Sequence, residues 1–291
     1  MPSRPTRIPP AAGRPDTVNV IASTAFWRRA ASTLLLVGLI WWTIFAAPFW
    51  WFAGVVLLFT FAGLQEFFAL VHRKGWFVFR GLTVGLGLLI PLVAALGWGV
   101  HRAADATLLT MACMVPWLVQ LTRKNQGEAL AAVSASLLGI IYVGWFMSYF
   151  IRLRLLTGGA GLVAFIILVT KIGDVGAYVI GSAVGRRPLI PRISPHKTVE
   201  GFVGGVVVSW LTALAARPLL GAGVPWMHTV VLGGVLGVLA EGGDLAESLI
   251  KRDCQAKDSG QIIPGMGGTL DLLDSLLFTL PVYYGYVKLF L

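Results

Sequence analysis

The densest group of charged side chains lies near the C-terminus, between Ser248 and Ser275. Only 12% of the chain is charged and 57% is hydrophobic, yet this stretch contains Lys251, Arg252, Asp253, Lys257, Asp258, Asp271 and Asp274. Glycines in the run from Pro264 to Gly268 allow backbone N–H groups to approach a ligand closely, and the helix expected next points its positive N-terminus at the same place. Its first turn carries two aspartates, three residues apart and therefore on one face. Cations, carboxylates and backbone donors in one stretch predict a site for a metal-bound phosphate.

A second group of carboxylates, Glu241, Asp244 and Glu247, ends an otherwise apolar segment. A carboxylate at mid-bilayer costs roughly 2.5–3.5 kcal/mol, so several together need a shared divalent cation or shallow placement beside water. For Glu247, an ion pair with Lys251, four residues on, is the favoured interpretation. For Asp244 and the two C-terminal aspartates, metal binding is favoured over acids that merely complement a helix dipole. Oxygen ligands without clustered His or Cys indicate magnesium rather than zinc.

Two further acids lie within or beside apolar runs. Asp174 is one turn from Lys171, and both a buried Lys–Asp pair and a functional carboxylate are open interpretations. Glu66 ends a long apolar run and is followed by the cluster at 72–74, His-Arg-Lys. We interpret Glu66 and this cluster as an anchor at the membrane interface, with a functional role as the alternative.

A basic loop separates two later apolar segments and contains Arg186, Arg187, Arg192, Ser194, His196 and Lys197. Such loops are usually topology or lipid-surface signals. Ser194 and Lys197, however, directly precede the next helix, where a phosphate could bind at the helix start. Simple helix capping is the alternative role for Thr198 and Glu200, and we interpret His196 as a polar loop residue rather than a catalyst.

The elements that must position these residues are apolar. The mean hydropathy is +0.80, and continuous apolar segments of near-spanning length recur along the chain. They lie at 31–47, 49–71, 81–100, 104–122, 130–151, 159–183, 199–219, 227–247 and 267–290. Because the runs are continuous rather than alternating, they predict an all-α, polytopic integral membrane protein with about nine transmembrane helices.

The basic residues set the expected orientation. With nine spans and a cytoplasmic N-terminus, most of the 23 Lys and Arg residues lie on the cytoplasmic side. The net charge of +10 is then a topology signal, and no nucleic-acid partner is expected. Most of the 13 carboxylates lie beyond residue 170. We therefore predict a flexible cytoplasmic tail at 1–27, scaffold helices at 28–155 and a catalytic region at 156–291, with the charged loops 184–198 and 248–266 both cytoplasmic.

The two charged stretches resemble the phosphatidate cytidylyltransferase (CDP-diacylglycerol synthase) family. The C-terminal stretch matches its signature at Ser248, Lys251, Arg252, Lys257, Asp258, Pro264, Gly265, Gly267, Gly268, Asp271 and Asp274. The earlier stretch resembles the preceding region of that family at Asp174, Gly176, Ala177, Tyr178, Gly181, Gly185, Arg186, Ser194, Pro195, Lys197, Thr198, Glu200 and Gly201. Met266 and Leu272 stand where the signature usually has His and Arg. A general-base role for that His and a phosphate clamp by that Arg are therefore not expected here.

The resemblance implies that CTP and phosphatidate react to give CDP-diacylglycerol and pyrophosphate. The implied catalytic residues are Asp244, Asp271, Lys251, Lys257 and Asp258. The implied substrate-binding residues are Ser194, Lys197, Arg252, Gly265, Gly267, Gly268 and Arg186. The implied ligands of one or two magnesium ions are Asp244, Asp271, Asp274 and Asp174.

The resemblance also implies a multi-pass protein of the inner (cytoplasmic) membrane, with its site facing the cytoplasm and membrane lipids around it. A homodimer is left open. Within the enzyme class, the alternatives are a polyprenol-type kinase or a cytidylyltransferase for ether-linked lipids. Outside it, a cation transporter also carries intramembrane aspartates, although the acids here crowd one side of the predicted bilayer. A catalytically silent lipid-binding scaffold is the remaining alternative.

Overall fold

The structure, a computed structural model, describes residues 24–97, 102–123, 127–221, 223–260 and 267–291, with the backbone alone described at 24–33 and 102–105. The described residues form nine main helices and one two-stranded hairpin. The helices are α1 (Thr24–Phe45), α2 (Phe49–Arg73), α3 (Arg80–Ala95), α4 (Arg102–Leu121), α5 (Ala129–Arg154, π-helical at Ile140–Trp145), α6 (Gly159–Val184), α7 (Val199–Ala215), α8 (Trp226–Asp253) and α9 (Thr269–Phe290). The strands are β1 (Pro188–Ile190) and β2 (Ser194–Thr198), and a 3₁₀ turn covers Arg217–Leu220.

The helical part of the prediction is confirmed, because each of the nine apolar segments falls on one of these helices. Four helices, α2, α5, α6 and α8, are long and apolar enough to cross a membrane, and shorter apolar helices accompany them in the described part of the chain. Large apolar side chains also cover the outside of the molecule. Leu35 and Leu121 are each 72% exposed and Trp51 is 62% exposed. Such a surface suits a hydrocarbon environment rather than water.

Helices α6, α7 and α8 pack closely because glycines line their contacts. A Cβ atom at Gly176 of α6 would lie 2.6 Å from the Cβ of Val208 on α7. A Cβ at Gly204 of α7 would lie 2.6 Å from the side chain of Ile180 on α6. Helices whose facing positions lack side chains can approach until their backbones nearly touch. This close packing brings the polar ends of three helices into one region.

The hairpin between α6 and α7 carries the basic loop that the sequence predicted. β1 and β2 pair antiparallel, with Pro188 opposite Thr198. The Thr198 side chain then accepts a hydrogen bond from the Gly201 N–H at 3.1 Å and caps α7, as its capping alternative predicted. Glu200 instead accepts the backbone N–H groups of Arg186 and Arg187 at 3.0 and 3.1 Å. The short strands were not predicted, but their pairing fixes the positions of the β2 side chains.

The charged connections meet at one end of the bundle. Lys74, after α2, forms an ion pair with Asp253 at the end of α8. The Arg252 guanidinium donates to the Ile193 carbonyl in the hairpin at 3.2 Å. At the opposite end, His228 and Tyr286 are joined by a 2.8 Å hydrogen bond. The two loops that were predicted to share one side therefore do so within the fold.

Candidate active site

Lys197, the penultimate residue of β2, bridges two carboxylates of α8. Its Nζ lies 2.7 Å from Glu241 Oε2 and 2.8 Å from Asp244 Oδ2. The two acids face it together because they are three residues apart on the helix. Burial alone would lower the pKa of Lys197, but the charges of Asp244 and Glu241 outweigh that effect and raise the pKa above its ordinary value of 10.5. The ammonium is therefore a fixed positive charge between two helix-borne acids.

Lys171 makes a second bridge, between α6 and α9. Its Nζ lies 3.0 Å from Asp174 Oδ2 and 3.7 Å from Asp274 Oδ1, and it donates to Ser275 Oγ at 2.7 Å. Ser275 in turn donates to Asp174 at 2.8 Å. The Lys–Asp pair that the sequence left open is thus formed. Asp274 is only 8% exposed and faces this cluster rather than solvent.

Lys251 makes the third bridge, between the end of α8 and the start of α9. Its Nζ lies 3.3 Å from Glu247 Oε2, which confirms the predicted pair, and 2.6 Å from Asp271 Oδ1. The other oxygen of Asp271 accepts the Gly268 N–H at 2.8 Å and the Ser259 N–H at 3.3 Å. Asp271 therefore caps its own helix while it holds Lys251. Glu247 is fully buried.

A cavity of about 440 Å³, lined by both charged and apolar groups, opens between α6, α7 and α8. Asp174, Lys197, Glu241 and Asp244 line it, so the first bridge and part of the second share one space. The remaining lining residues are Ala177, Tyr178, Gly181, Ser182, His196, Thr198, Gly201 and Phe202. Within the described part of the chain, Asp271 and Lys251 are not part of this lining. The structure brings Asp174 and Asp244 to one cavity and gives Asp271 a different lysine partner.

The other predicted residues lie around the same end of the bundle. Ser194 begins β2 and is half-buried, and Arg252 also donates to the Ala256 carbonyl at 3.3 Å. Arg186, Lys257 and Asp258 are all exposed at the surface. Gly267 has a φ of +91°, which favours glycine, and Gly268 is the N-cap of α9. Gly265, together with Met266, lies outside the described residues.

Glu66 is the residue whose place the sequence reasoning missed. It is 4% exposed, and its carboxylate accepts the N–H groups of Thr269 and Leu270 at 2.9 and 2.8 Å. The interpretation of Glu66 as an interface anchor is therefore wrong. The sequence did contain a signal for its burial, since Glu66 is a lone acid among apolar residues, with Phe67 and Phe68 directly after it. A buried carboxylate must have hydrogen-bond donors.

Acidic side chains outnumber basic ones in the three lysine bridges. The three lysines face six carboxylates, which leaves an excess of three negative charges when all are ionised. In the described part of the chain no three His, Cys, Asp or Glu side chains are grouped closely enough to hold one metal ion. Magnesium, however, usually binds one or two carboxylates and completes its coordination with substrate phosphates. Carboxylate oxygens with an unbalanced negative charge therefore fit magnesium.

Comparison with known proteins gives one consistent result. The sequence model described as "Cytidylyltransferase family" matches residues 27–290. A phosphatidate cytidylyltransferase of Synechocystis is 34% identical over 273 residues, which cover 83% of this chain and 90% of that protein. A phosphatidate cytidylyltransferase of Staphylococcus saprophyticus is 33% identical over 235 residues, 79% of this chain and 89% of that protein. One of Bacillus subtilis is 40% identical over 154 residues, 53% of this chain and 57% of that protein.

Proposed function

Since the chain belongs to the cytidylyltransferase family, we propose that it transfers the cytidylyl group of CTP to phosphatidate, giving CDP-diacylglycerol and pyrophosphate. The observation that carries this proposal is the cavity between α6, α7 and α8, which is lined by Lys197, three carboxylates and apolar groups at the charged end of an apolar helix bundle. A phospholipid and a nucleotide must meet where apolar and polar surroundings adjoin, and this cavity is such a place.

The reaction forms a bond between a phosphate oxygen of phosphatidate and the α-phosphorus of CTP. It breaks the bond from that phosphorus to the oxygen that leaves with pyrophosphate. The attacking oxygen is ionised near neutral pH, so no side chain has to remove a proton from it. The absence of the signature His at Met266 is compatible with this chemistry. Catalysis then consists of positioning two anions and stabilising the charge that moves between them.

The lysines supply the positive charge that positions the two anions. Lys197 faces the cavity, and Lys251, near the end of α8, pairs with Asp271 at the start of α9. Carboxylates on either side hold each ammonium in place before substrate arrives, so little reorganisation is needed during the reaction. Ser194, Arg186, Arg252, Lys257, Gly267 and Gly268 lie at the same charged end, and we assign them to binding the triphosphate and the lipid phosphate. From the sequence alone, we assign Gly265 to the same role. We also assign Asp258 to the catalytic residues.

We assign magnesium to the carboxylates, with Asp244 and Asp174 as the ligands that line the cavity and Asp274 and Asp271 as further ligands of one or two ions. When bound, the metal would neutralise charge on the phosphates of CTP. Asp244 also accepts a hydrogen bond from Ser248 at 3.3 Å, which orients its carboxylate. Without a cation, two anionic substrates would have to enter a site that is already negative.

The long apolar helices support a membrane location for this site. We assign nine spans to α1 through α9, in the inner (cytoplasmic) membrane, with the hairpin and the loop at 254–260 on the cytoplasmic side. Phosphatidate then enters sideways from the cytoplasmic leaflet. Surrounding lipids cover the exposed apolar side chains, and a homodimer would cover part of the same surface.

Product analysis tests the proposed reaction. Purified protein in detergent micelles receives magnesium, phosphatidate and CTP that carries its label at either the α- or the γ-phosphate. We expect the α-label in the lipid product and the γ-label in pyrophosphate. A γ-label in the lipid, with CDP left behind, would indicate a kinase and overturn the proposal.

The variant Asp271→Asn tests the site in the same assay. We expect turnover to fall by about 100-fold or more, because the amide loses the charge that holds Lys251 and faces the N–H groups of Ser259 and Gly268 with a donor. Asp253→Asn is the matched control, since this carboxylate is 58% exposed and pairs with Lys74 outside the cavity; its turnover should stay within about twofold of wild type. Full activity in Asp271→Asn would exclude the proposed role of Asp271.

A further inference from the structure

Glu66 belongs to α2, far from the charged stretches in sequence, yet its carboxylate reaches the start of α9. Oε1 accepts the Thr269 N–H at 2.9 Å, and Oε2 accepts the Leu270 N–H at 2.8 Å and the Ser259 hydroxyl at 3.1 Å. The first N–H groups of a helix have no partner within it and form the positive end of its dipole. A buried carboxylate accepts hydrogen bonds from these N–H groups and places a negative charge beside the positive end of the helix, through short charge-assisted hydrogen bonds.

The chain around Glu66 lacks side chains where the carboxylate fits. A Cβ at Gly268 would lie 2.6 Å from Glu66 Oε2 and 2.7 Å from the Gly260 nitrogen. At Gly260 the three atoms nearest to an added Cβ all belong to Glu66, with Cδ at 2.7 Å. Neither position can carry a side chain while Glu66 occupies its place. The loop after α8 and the start of α9 are therefore shaped around a carboxylate from α2.

The same two backbone segments hold Asp271. Its Oδ2 accepts N–H groups from Ser259 and Gly268, while Glu66 accepts from the Ser259 hydroxyl and from the two residues after Gly268. Asp271 Oδ1 then pairs with Lys251. A continuous set of bonds thus runs from Glu66 through these segments to the Asp271–Lys251 pair.

We propose that Glu66 is a positioning residue that fixes the start of α9, and with it the Asp271–Lys251 pair, in the geometry that the reaction needs. The claim that this geometry is needed for the reaction rests on the proposed function. The claim that Glu66 fixes the start of α9 rests on the contacts alone. Glu66 is not among the residues that line the cavity, and in this proposal it does not touch the substrates.

Amide hydrogen exchange and kinetics on Glu66→Gln together test this role. The glutamine has the same shape, but it is neutral and directs an NH₂ group toward N–H donors. We expect exchange at Thr269 and Leu270 to accelerate at least about tenfold. We expect kcat per folded molecule to fall about tenfold, with the KM for phosphatidate changed less than about twofold. Glu66→Asp, which keeps the charge, should recover part of both losses.

Glu128→Gln is the matched control, because Glu128 is exposed and makes no side-chain cap of its helix. It should leave both measurements unchanged. Unchanged exchange in Glu66→Gln would overturn the proposal, and so would faster exchange with unchanged kcat, which would make the contact structural only. If the wild-type protein lacks the proposed activity, the exchange measurement still decides whether Glu66 fixes α9.

Gly260→Ala disturbs the same contact from the loop that faces Glu66. It replaces Glu66→Gln as the test if that variant does not fold. Its methyl group would displace the Glu66 carboxylate, so we expect the same faster exchange at Thr269 and Leu270. In a Glu66→Asp background, whose shorter side chain leaves more room, the added effect of Gly260→Ala should be smaller. Equal effects in both backgrounds would mean that Glu66 and Gly260 are not coupled, and would overturn the proposal.

Discussion

Each of the three lysines that bridge two carboxylates has at least one partner on an element that is distant in sequence. Lys197 takes both of its acids from α8, whereas Lys171 and Lys251 each combine a local acid with one from α9. A lysine ammonium is a compact charge with three N–H donors. It can donate to two carboxylates and still face a phosphate. In the proposed function, Lys197 therefore serves two purposes: it stabilises the contact of β2 with α8 and leaves a cation beside the cavity.

Lys197→Met tests this double role at one residue. The variant leaves Glu241, which is 5% exposed, without its cation, and removing one partner of a buried ion pair costs roughly 3–5 kcal/mol. We expect a lower unfolding temperature in detergent at pH 8 and little product formation. Lys288→Met, at an exposed residue near the end of α9, is the control and should change neither measurement.

The pH dependence separates charge from packing in this variant. Because the pKa of Lys197 is raised, its stabilising contribution is complete below its ordinary value of 10.5 and is lost only as the pH rises through the still higher folded value. The wild-type Lys197 ammonium therefore stays charged at both pH 5 and pH 8. In Lys197→Met, acid pH neutralises carboxylate charge that has lost its cation, so the loss of stability should be smaller at pH 5 than at pH 8. A defect of equal size at pH 5 and pH 8 would indicate lost packing instead.

At the scale of elements, the close contact of α6 with α7 sets the width of the cavity. Gly176→Ala places a methyl group against Val208 and should destabilise the protein by about 1–3 kcal/mol through overpacking. Gly234→Ala on α8 is the matched control, because nothing lies within 4 Å of an added Cβ there. Thermal unfolding in detergent should separate the two variants. Equal stabilities would show that α6 and α7 can move apart without cost.

Local sequence predicted the elements and the local pairs, but not the contacts between distant segments. Apolar runs were enough to predict nine helices, and spacings of three and four residues predicted the Lys171–Asp174 and Glu247–Lys251 pairs. The hairpin at 188–198 was missed because its strands are short and contain prolines, which favour loops. Glu66 was misinterpreted because its partners lie about 200 residues away, and no local pattern indicates which helix needs its carboxylate.

At the scale of the whole molecule, the arrangement of the loops agrees with one membrane orientation. The ion pair of Lys74 with Asp253 and the contact of Arg252 with Ile193 gather three charged connections at one end of the bundle. Arg217, in contrast, lies near the opposite end and donates to the Val224 carbonyl at 2.9 Å. Basic residues favour the cytoplasmic side of spanning segments. The charged end, with its cavity, is accordingly the end that we assign to the cytoplasm.

Cysteine labelling from one side of the membrane tests that orientation. Thr157 and Arg192 are both exposed and lie just beyond opposite ends of α6, whose 26 residues are about 39 Å long. In a background without Cys113 and Cys254, an impermeant maleimide should label Thr157→Cys in spheroplasts and Arg192→Cys in inverted vesicles. Product formation in the unlabelled variants confirms that each is folded. The reverse pattern would turn the site outward, away from cytoplasmic CTP, and labelling of both from one side would mean that α6 does not span the bilayer.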